Sequence, residues 1–433
     1  MSSIPLWQKT TRVEDWVTRF TVGEDYRWDT LLLPYDIQAT REHAWGLTEI
    51  GVLSEDELEQ AVTALERLLE AVSAGGVTVH PRDEDCHTVI ENYLTAEIGD
   101  VGKKIHTGRS RNDQVLAAIR LFLRDRLRGI ASRAADVARV LCEWGREHDR
   151  LLMPGYTHLQ HAMPSTVGLW AMGYAELLVF DIEGLVHARD RINVSPLGSA
   201  AGYGVPYLAL PREEVAKRLG FTGVQTHVTS VQLSRGKLEL EVVHALVQLG
   251  ATYNRLASDL VLYNTTEFGF VKLPPEYCTG SSIMPQKQNP DVLELVRAVY
   301  HRLTAEMHLL VTLPANLPSG YHRDLQLTKE AVMRAVLTAE NVTEAMANVL
   351  GGVTFDEARL ERATSKELFA TARALELVSD GVPFRDAYRK AAEEIGSLDR
   401  PDADAALESY QVDGYPGRCR PDLVLERLDN IKF

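Results

Sequence analysis

The segment CTGSSIMPQKQNPD, residues 278–291, gathers several groups that can take part in proton transfer. Its two prolines prevent a regular helix, so its polar side chains stand on a loop. Such a loop can present Ser281, backbone N–H groups and the cation of Lys287 to an anionic intermediate. The same pattern also fits an ordinary Gly–Pro connector in front of a helix that begins at residue 291.

A second segment, HTGRSRND at residues 106–113, places Arg109 and Arg111 on either side of Ser110, directly before a predicted helix. Anions favour the N-terminus of a helix, where unpaired N–H groups add to the positive end of the dipole. The segment therefore predicts an anion site. A capping loop with two solvated arginines is the alternative.

A third segment, MPGYTHLQHAMPST at residues 153–166, contains Thr157, His158 and Gln160. Their side chains can donate protons or hydrogen bonds near neutral pH. A lone histidine also occurs in purely structural roles, and the segment alone does not distinguish the two.

Long helices must position these segments. Proline-free stretches with apolar residues at three-and-four spacing predict amphipathic helices, and alternating strand patterns are scarce. Helices of this length bury their apolar faces most easily side by side, which predicts an all-α bundle. The stretches are residues 116–149, 165–190, 237–266 and 324–350. Between them lie the three segments above and SPLGSAAGYGVPY at 195–207, and loops of this length are usually functional.

The composition excludes several classes of protein. The 433 residues, of which 45% are hydrophobic, are enough for two or three domains around a large core. Lys and Arg number 46 and Asp and Glu number 61, so the net charge is 46 − 61 = −15, which argues against a nucleic-acid partner.

The cysteines and the apolar pattern bear on location. Four distant cysteines without a CxxC pair predict neither a zinc cluster nor a disulfide framework, so we expect no metal and a reducing compartment. The N-terminal sequence lacks a signal-peptide pattern, and no apolar run approaches the ~20 residues that span a bilayer. We therefore expect a cytoplasmic protein with no membrane partner.

Together, HTGRSRNDQ, GYTHLQ and GSSIMPQKQNPD resemble, in order and spacing, the three signature regions of the fumarase/aspartase superfamily and, within it, of the argininosuccinate lyases. The resemblance extends to DCHTVIENYL at 85–94, YHRDLQLTKEA at 321–331 and LFATARALELVSDGVPFRDAY at 368–388.

The resemblance implies a three-domain fold. We expect an N-terminal helical domain at 1–104, a central helical bundle at 105–351 and a C-terminal helical domain at 352–433. It also implies a homotetramer with a twenty-helix core, in which three subunits contribute the three signature regions to each active site. No cofactor is implied.

The resemblance further implies the reversible elimination of fumarate from argininosuccinate to give arginine, as in arginine biosynthesis. A base removes a proton beside a carboxylate, which gives an aci-carboxylate intermediate. By resemblance Ser281 is this base, and its alkoxide needs N–H donors and the nearby cation of Lys287. His158 would supply or relay the proton to the leaving nitrogen, with Glu294 as its partner. Glu294 also lies three residues before Arg297 and could form a solvated ion pair instead.

The substrate itself would be a small molecule with a succinyl group. The family positions that bind it match Ser110, Arg111, Asn112, Thr157, Gln160, Asn289, Tyr321, Gln326, Lys329, His87 and Asp29. For Tyr321, Gln326 and Lys329, a structural face at a helix start is the alternative.

The sequence departs from the family in places. Leu6 and Trp7 are followed by QKT rather than GGR, and Asp25 stands where a serine is expected. Residues 225–237, QTHVTSVQLSRGK, differ most from the usual NSMDATSDRDF-like segment. This difference favours a first alternative, a related carbon–nitrogen lyase for another N-succinyl amine or an N-acylated argininosuccinate. The second alternative is a non-catalytic homologue of the lens-crystallin kind, against which the intact signature residues argue.

Overall fold

The computed structural model describes residues 14–433, and the unusual residues 6–10 lie outside this range. The predicted helical fold is confirmed. Each of the four proline-free stretches forms a long helix, with ends within a few residues of those predicted. A further long helix begins at Asp291, as the third signature segment predicts.

The helices, in chain order, are α1 (Asp15–Val22), α2 (Asp25–Glu49), α3 (Glu55–Ser73), α4 (Cys86–Ile98), α5 (Asp100–Lys104), α6 (Arg111–Glu147), α7 (Val167–Ile192), α8 (Arg212–Arg218), α9 (Val228–Leu233), α10 (Lys237–Tyr263), α11 (Asp291–Thr312), α12 (Leu327–Leu350), α13 (Glu357–Ala363), α14 (Ala370–Ser379), α15 (Phe384–Glu394), α16 (Ala403–Glu408) and α17 (Pro421–Asn430). Short 3-10 turns occur at Pro275–Tyr277, Arg323–Gln326, Lys366–Phe369 and Ile395–Ser397.

The expectation of an irregular loop at 153–166 is wrong. Strands β1 (Leu152–Thr157) and β2 (Gln160–Thr166) form an antiparallel hairpin with a bulge between Pro154 and Tyr156. Two further short strands, β3 (Val271–Lys272) and β4 (Thr354–Phe355), pair with each other. The hairpin was missed because its prolines and its polar turn hide the alternating pattern.

The described chain divides into two compact units. The first unit comprises residues up to 129, 185–246 and 303–338, and the second comprises 130–184, 247–302 and 339–433. The division into three domains at 104 and 351 stays a prediction.

Apolar side chains of distant segments form the core of each unit. In the first unit, Ala117 and Leu121 of α6 pack with Val215, Leu219 and neighbouring residues around α8. In the second unit, a smaller cluster joins the hairpin to the C-terminal helices through Leu152, Leu368, Phe369, Ala406 and Leu407. A helix of that C-terminal part, α13, also contacts β1.

No helix in residues 14–433 combines the length and the apolar character that crossing a bilayer requires.

Candidate active site

The first unit contains a cavity of about 580 Å³. Its walls come from α1, the start of α2, the start of α4, the start of α6, the turn before α10 and the segment that leads into and begins α12. Six of the predicted substrate-binding residues line it: His87, Arg111, Asn112, Tyr321, Gln326 and Lys329. The structure therefore brings together residues that are separated by more than 200 positions in the sequence.

Lys329 is a buried cation held between two carboxylates. Its Nζ lies 3.0 Å from Oδ2 of Asp29 and 3.1 Å from Oδ2 of Asp25. Burial would lower the pKa of Lys329, but Asp29 and Asp25 raise it, so the ammonium stays charged. Burial raises the pKa of Asp29 to about 6, against the opposing charge of Lys329. Asp29, predicted as a substrate contact, thus lies behind Lys329 and fixes its position.

A buried ion-pair network supports His87. Its Nδ1 lies 2.6 Å from Oδ2 of Asp36, and Nη2 of Arg109 lies 3.4 Å from the other oxygen of that carboxylate. Burial would lower the pKa of His87, but the charge and the hydrogen bond of Asp36 raise it. An imidazolium is therefore favoured at this wall of the cavity.

Cys86 completes a group with Asp36 and His87 whose ligand-type atoms all lie within 4.8 Å of one another. Nδ1 of His87 and Oδ2 of Asp36 are at hydrogen-bond distance. These two atoms therefore bind each other and are not arranged around a common metal ion. Burial raises the pKa of the Cys86 thiol well above its usual value, which disfavours the thiolate that metals bind.

Arg111 is neutralised by its neighbours on the N-terminal side of α4. Its Nη1 lies 3.0 Å from both Glu84 and Asp85, and its Nη2 donates to Oγ1 of Thr88 at 2.9 Å. Burial would lower the pKa of Arg111, but Asp85 and Glu84 raise it. A substrate carboxylate that binds Arg111 must therefore compete with two acids.

The buried carboxylate of Asp113 fixes the first signature loop. It accepts hydrogen bonds from the backbone N–H groups of Ser110 at 3.0 Å, Gly198 at 3.1 Å and Ala200 at 2.9 Å. Oγ of Ser110 in turn accepts the N–H of Asn112 at 3.3 Å. The Gly- and Ser-rich segment at 195–207 is thus tied to the predicted anion site.

The segment before α12 is anchored to α1. Nε2 of Gln326 and Nη2 of Arg323 both donate to the carbonyl oxygen of Thr21, at 2.9 and 2.8 Å. Tyr321 lies under the guanidinium of Arg235, 4.9 Å from ring centroid to Cζ. Arg235 belongs to the segment 225–237, so the part of the sequence that departs from the family contributes to the cavity wall.

In the second unit, Ser281 occupies a tight turn of the third signature loop. Its Oγ accepts the backbone N–H groups of Ile283 at 3.3 Å and Met284 at 3.1 Å. Two such donors are what a serine alkoxide would need, because they stabilise the charged form. The side chain is partly exposed, and so is accessible to a substrate.

The ends of this loop are tied together. Thr279 and Asn289 exchange backbone hydrogen bonds of 3.1 and 2.8 Å, and Oγ1 of Thr279 donates to the carboxylate of Asp291 at the start of α11. Lys287 is exposed between these ends, and its N–H donates to the carbonyl oxygen of Met284. The loop is therefore a closed ring that presents Ser281 and Lys287 outward.

The second signature region forms the tip of the hairpin. Thr157 and Gln160 are cross-strand partners, and between them His158 and Leu159 have φ of 54° and 57°. Two positive φ values define a type I′ turn, which residues other than Gly, Asn and Asp adopt only with strain. Thr157, His158 and Gln160 are all exposed at this tip.

Glu294 forms the ion pair that the sequence offered as an alternative. Its carboxylate lies 3.8 Å from Arg297, and both side chains are about half exposed. Within the described part of the single chain, His158 makes no hydrogen bond with Glu294.

The predicted residues thus fall into two sets. Eight belong to the first unit: Asp29, His87, Ser110, Arg111, Asn112, Tyr321, Gln326 and Lys329. Seven belong to the second: Thr157, His158, Gln160, Ser281, Lys287, Asn289 and Glu294. Asp25, Glu84 and Asp85, which with Asp29 hold the cations of the first set, and the buried Arg235 were not predicted from the sequence as site residues.

Comparison with known proteins adds independent information. A family described as "Lyase" matches residues 20–304. The chain is 46% identical to argininosuccinate lyase of Sorangium cellulosum over 99% of each chain. It is 44% identical to argininosuccinate lyase of Thermotoga neapolitana, over 90% of this chain and 98% of that protein.

Solved structures agree in fold. An EDDS lyase in complex with formate superposes with a TM-score of 0.77 at 24% identity, covering 97% of this chain and 90% of the other. A class II fumarase from Schistosoma mansoni gives a TM-score of 0.74 at 16% identity, covering 94% and 97%. With signature regions, fold and full-length identity in agreement, the chain belongs to the lyase family that contains the argininosuccinate lyases.

Proposed function

We propose that this protein is an argininosuccinate lyase, which cleaves argininosuccinate reversibly into arginine and fumarate in the cytoplasm. The observation that carries this proposal is the identity of 46% over 99% of a relative with that name. The residues that match the family's catalytic positions, Ser281, His158, Lys287 and Glu294, give further support.

Ser281 is the base of the proposed reaction. Removing a proton beside a carboxylate gives an aci-carboxylate with an additional negative charge, so the reaction needs a strong base and a stabilised product anion. The N–H groups of Ile283 and Met284 stabilise the alkoxide of Ser281. Lys287, exposed on the same ring, and Asn289 would hold the carboxylate on which the charge develops.

His158 supplies or relays the proton to the leaving nitrogen in this proposal. Its place at a strained hairpin tip supports a functional role, since strain of this kind persists where function requires it. Glu294 does not bond to His158 within the described chain, and we propose that it reaches the imidazole of another subunit.

The cavity of the first unit would bind the substrate. Ser110, Asn112 and Arg111 hold the succinyl carboxylates, together with Thr157. In the free protein the guanidinium of Arg111 is paired with Glu84 and Asp85. When a substrate carboxylate takes the place of these acids, the guanidinium remains paired with a negative charge. Tyr321, Gln326 and Lys329 hold the amine half, and no metal or cofactor takes part in this scheme.

The proposed reaction is tested by incubating the purified protein with a panel of N-succinyl amines and following fumarate absorbance. We expect turnover of argininosuccinate with kcat/KM at least ~10⁴ M⁻¹s⁻¹, the lower end for efficient enzymes. Preference for a different N-succinyl amine or an N-acylated argininosuccinate would replace the proposal by the related lyase. Absence of any turnover would favour the non-catalytic homologue.

We further propose a homotetramer in which three subunits build each site. Large apolar side chains on the long helices support an interface: Leu177 of α7 is 42% exposed and Leu295 of α11 is 68% exposed. Light scattering should give four times the mass of the 48.2 kDa chain.

Mixing two inactive variants tests the shared site. Ser281→Ala and Asn112→Ala, unfolded and refolded together, should recover part of the activity, because some sites in mixed tetramers draw both residues from intact subunits. Each variant refolded alone is the control. An active monomer, or mixtures that stay as inactive as the controls, would contradict a shared site.

A further inference from the structure

Arg235 is a buried cation that has no carboxylate partner in the part of the chain that the structure describes. The residue as a whole is only 4% exposed. Among the described residues 14–433, no acceptor takes a hydrogen bond from its buried Nε and Nη1, and the guanidinium forms no ion pair. Buried charged groups are normally paired, so a cation left in this state indicates a missing anion.

The backbone holds this side chain in one place. Arg235 lies in the turn between α9 and α10, where its N–H donates to the carbonyl oxygen of Gln232 at 3.2 Å. The next residue, Gly236, has φ of 79°, and a Cβ there would lie 2.6 Å from Cγ of Pro314. Only glycine fits this position, so the turn that aims Arg235 is specified by the sequence.

The guanidinium borders the cavity beside residues that we assign to the amine half. It lies against the ring of Tyr321, and Gln326 and Lys329 line the same cavity. Stacking on an aromatic ring leaves the N–H groups at the edge of the guanidinium available to a ligand.

The other buried or half-buried cations of the cavity have carboxylate partners. Lys329 has Asp25 and Asp29, and Arg111 has Glu84 and Asp85. Burial lowers the pKa of Arg235, and Tyr321 together with the carboxylates of Glu239 and Asp25 offsets this only in part. Oε2 of Glu239 is itself buried and accepts no hydrogen bond from the described residues, so this acid acts on Arg235 only through its charge and not through a direct contact.

We infer that Arg235 binds a carboxylate on the amine half of the substrate and thereby selects amines that have the α-carboxylate of an amino acid. This inference rests on the proposed function and names a specificity determinant for the same site. A planar guanidinium suits a carboxylate better than an ammonium does, because it offers two parallel N–H donors.

The test compares two amines in the reverse reaction. Arginine and agmatine have the same guanidinium, but agmatine has a hydrogen in place of the α-carboxylate. Loss of fumarate absorbance is measured with each amine for the wild-type protein, Arg235→Lys and Arg235→Gln.

We expect Arg235→Gln to raise KM for arginine about 10²-fold with little change in kcat, as loss of one partner of a buried charged contact does. Its kcat/KM for agmatine should stay within about threefold of the wild-type value, and Arg235→Lys should recover part of the affinity for arginine. Where agmatine turnover is too slow to measure, inhibition of argininosuccinate cleavage by arginine and by agmatine gives the same comparison.

Equal losses with both amines would overturn the inference, because Arg235 would then act on the succinyl half or on folding. An unchanged KM for fumarate in Arg235→Gln excludes both explanations. Failure of the proposed function is a separate result, since the wild-type protein itself would then be inactive with arginine and argininosuccinate.

Discussion

Ser281→Ala is expected to abolish turnover while substrate binding stays nearly intact. A general base acts in the transition state and contributes little to ground-state affinity. Its loss typically costs at least ~10²-fold in rate. Fumarate release measures the rate, and calorimetry with argininosuccinate measures the binding.

Ser282→Ala is the matched control. The two serines are adjacent in one loop, but only Ser281 accepts N–H groups, from Ile283 and Met284, whereas the exposed Ser282 hydroxyl makes no hydrogen bond within the described residues. The control variant should keep near-normal rates. An active Ser281→Ala protein beside an inactive Ser282→Ala protein would show that the base is assigned to the wrong serine.

The long helices could be predicted from the sequence because their signal is local. Apolar residues such as Leu116, Ile119 and Leu123 repeat with the helix period, and all three are buried in α6. The start of α11 at Asp291 could also be predicted, because the prolines before it exclude a helix.

The hairpin tip could not be predicted in the same way. A type I′ turn is normally predicted from Asn-Gly or a similar pair of residues. Here His158 and Leu159 adopt the positive φ angles instead. The pairing of Thr157 with Gln160 depends on this turn. The strained turn brings Thr157, His158 and Gln160 together at an exposed tip. The sequence pattern does not predict this turn.

The charge partners of the residues in the cavity could not be predicted from the sequence either. Lys329 meets Asp25 and Asp29 across about 300 positions, so no spacing rule applies to this ion pair. The segment around Arg235 could be recognised as unusual from the sequence. Only the fold shows that its guanidinium is buried and meets no carboxylate within residues 14–433.

Lys329→Met is expected to be the most destabilising of the substitutions considered, since it leaves two carboxylates beside an apolar side chain. Removing one partner of a buried ion pair typically costs ~3–5 kcal/mol. Thermal unfolding at pH 8 and fixed protein concentration should show a correspondingly lower Tm.

The pH dependence of this loss follows from Asp29. Its pKa is raised by burial to about 6, above the ordinary value of 3.8, so the folded state binds this proton more tightly than the unfolded state. The contribution of Asp29 to the free energy of unfolding therefore rises as the pH falls from about 6 towards 3.8. Above pH 6, Asp29 is charged in the folded state, and its burial lowers the free energy of unfolding by the full amount. Lys329→Met should accordingly lose less stability at pH 5, where Asp29 can take up a proton, than at pH 8.

The double variant Lys329→Met, Asp29→Asn separates charge from packing. Asparagine keeps the shape of Asp29 and removes its charge, so at pH 8 the double variant should be more stable than Lys329→Met alone, and its remaining deficit should depend less on pH. Asp25, which is partly exposed, can be rehydrated and should account for a smaller part of the loss. Equal stability of Lys329→Met and wild type at pH 8 would mean that the ion pair contributes nothing net. A double variant that is less stable than Lys329→Met would instead assign the loss to packing around the lysine stem rather than to the unpaired carboxylate of Asp29.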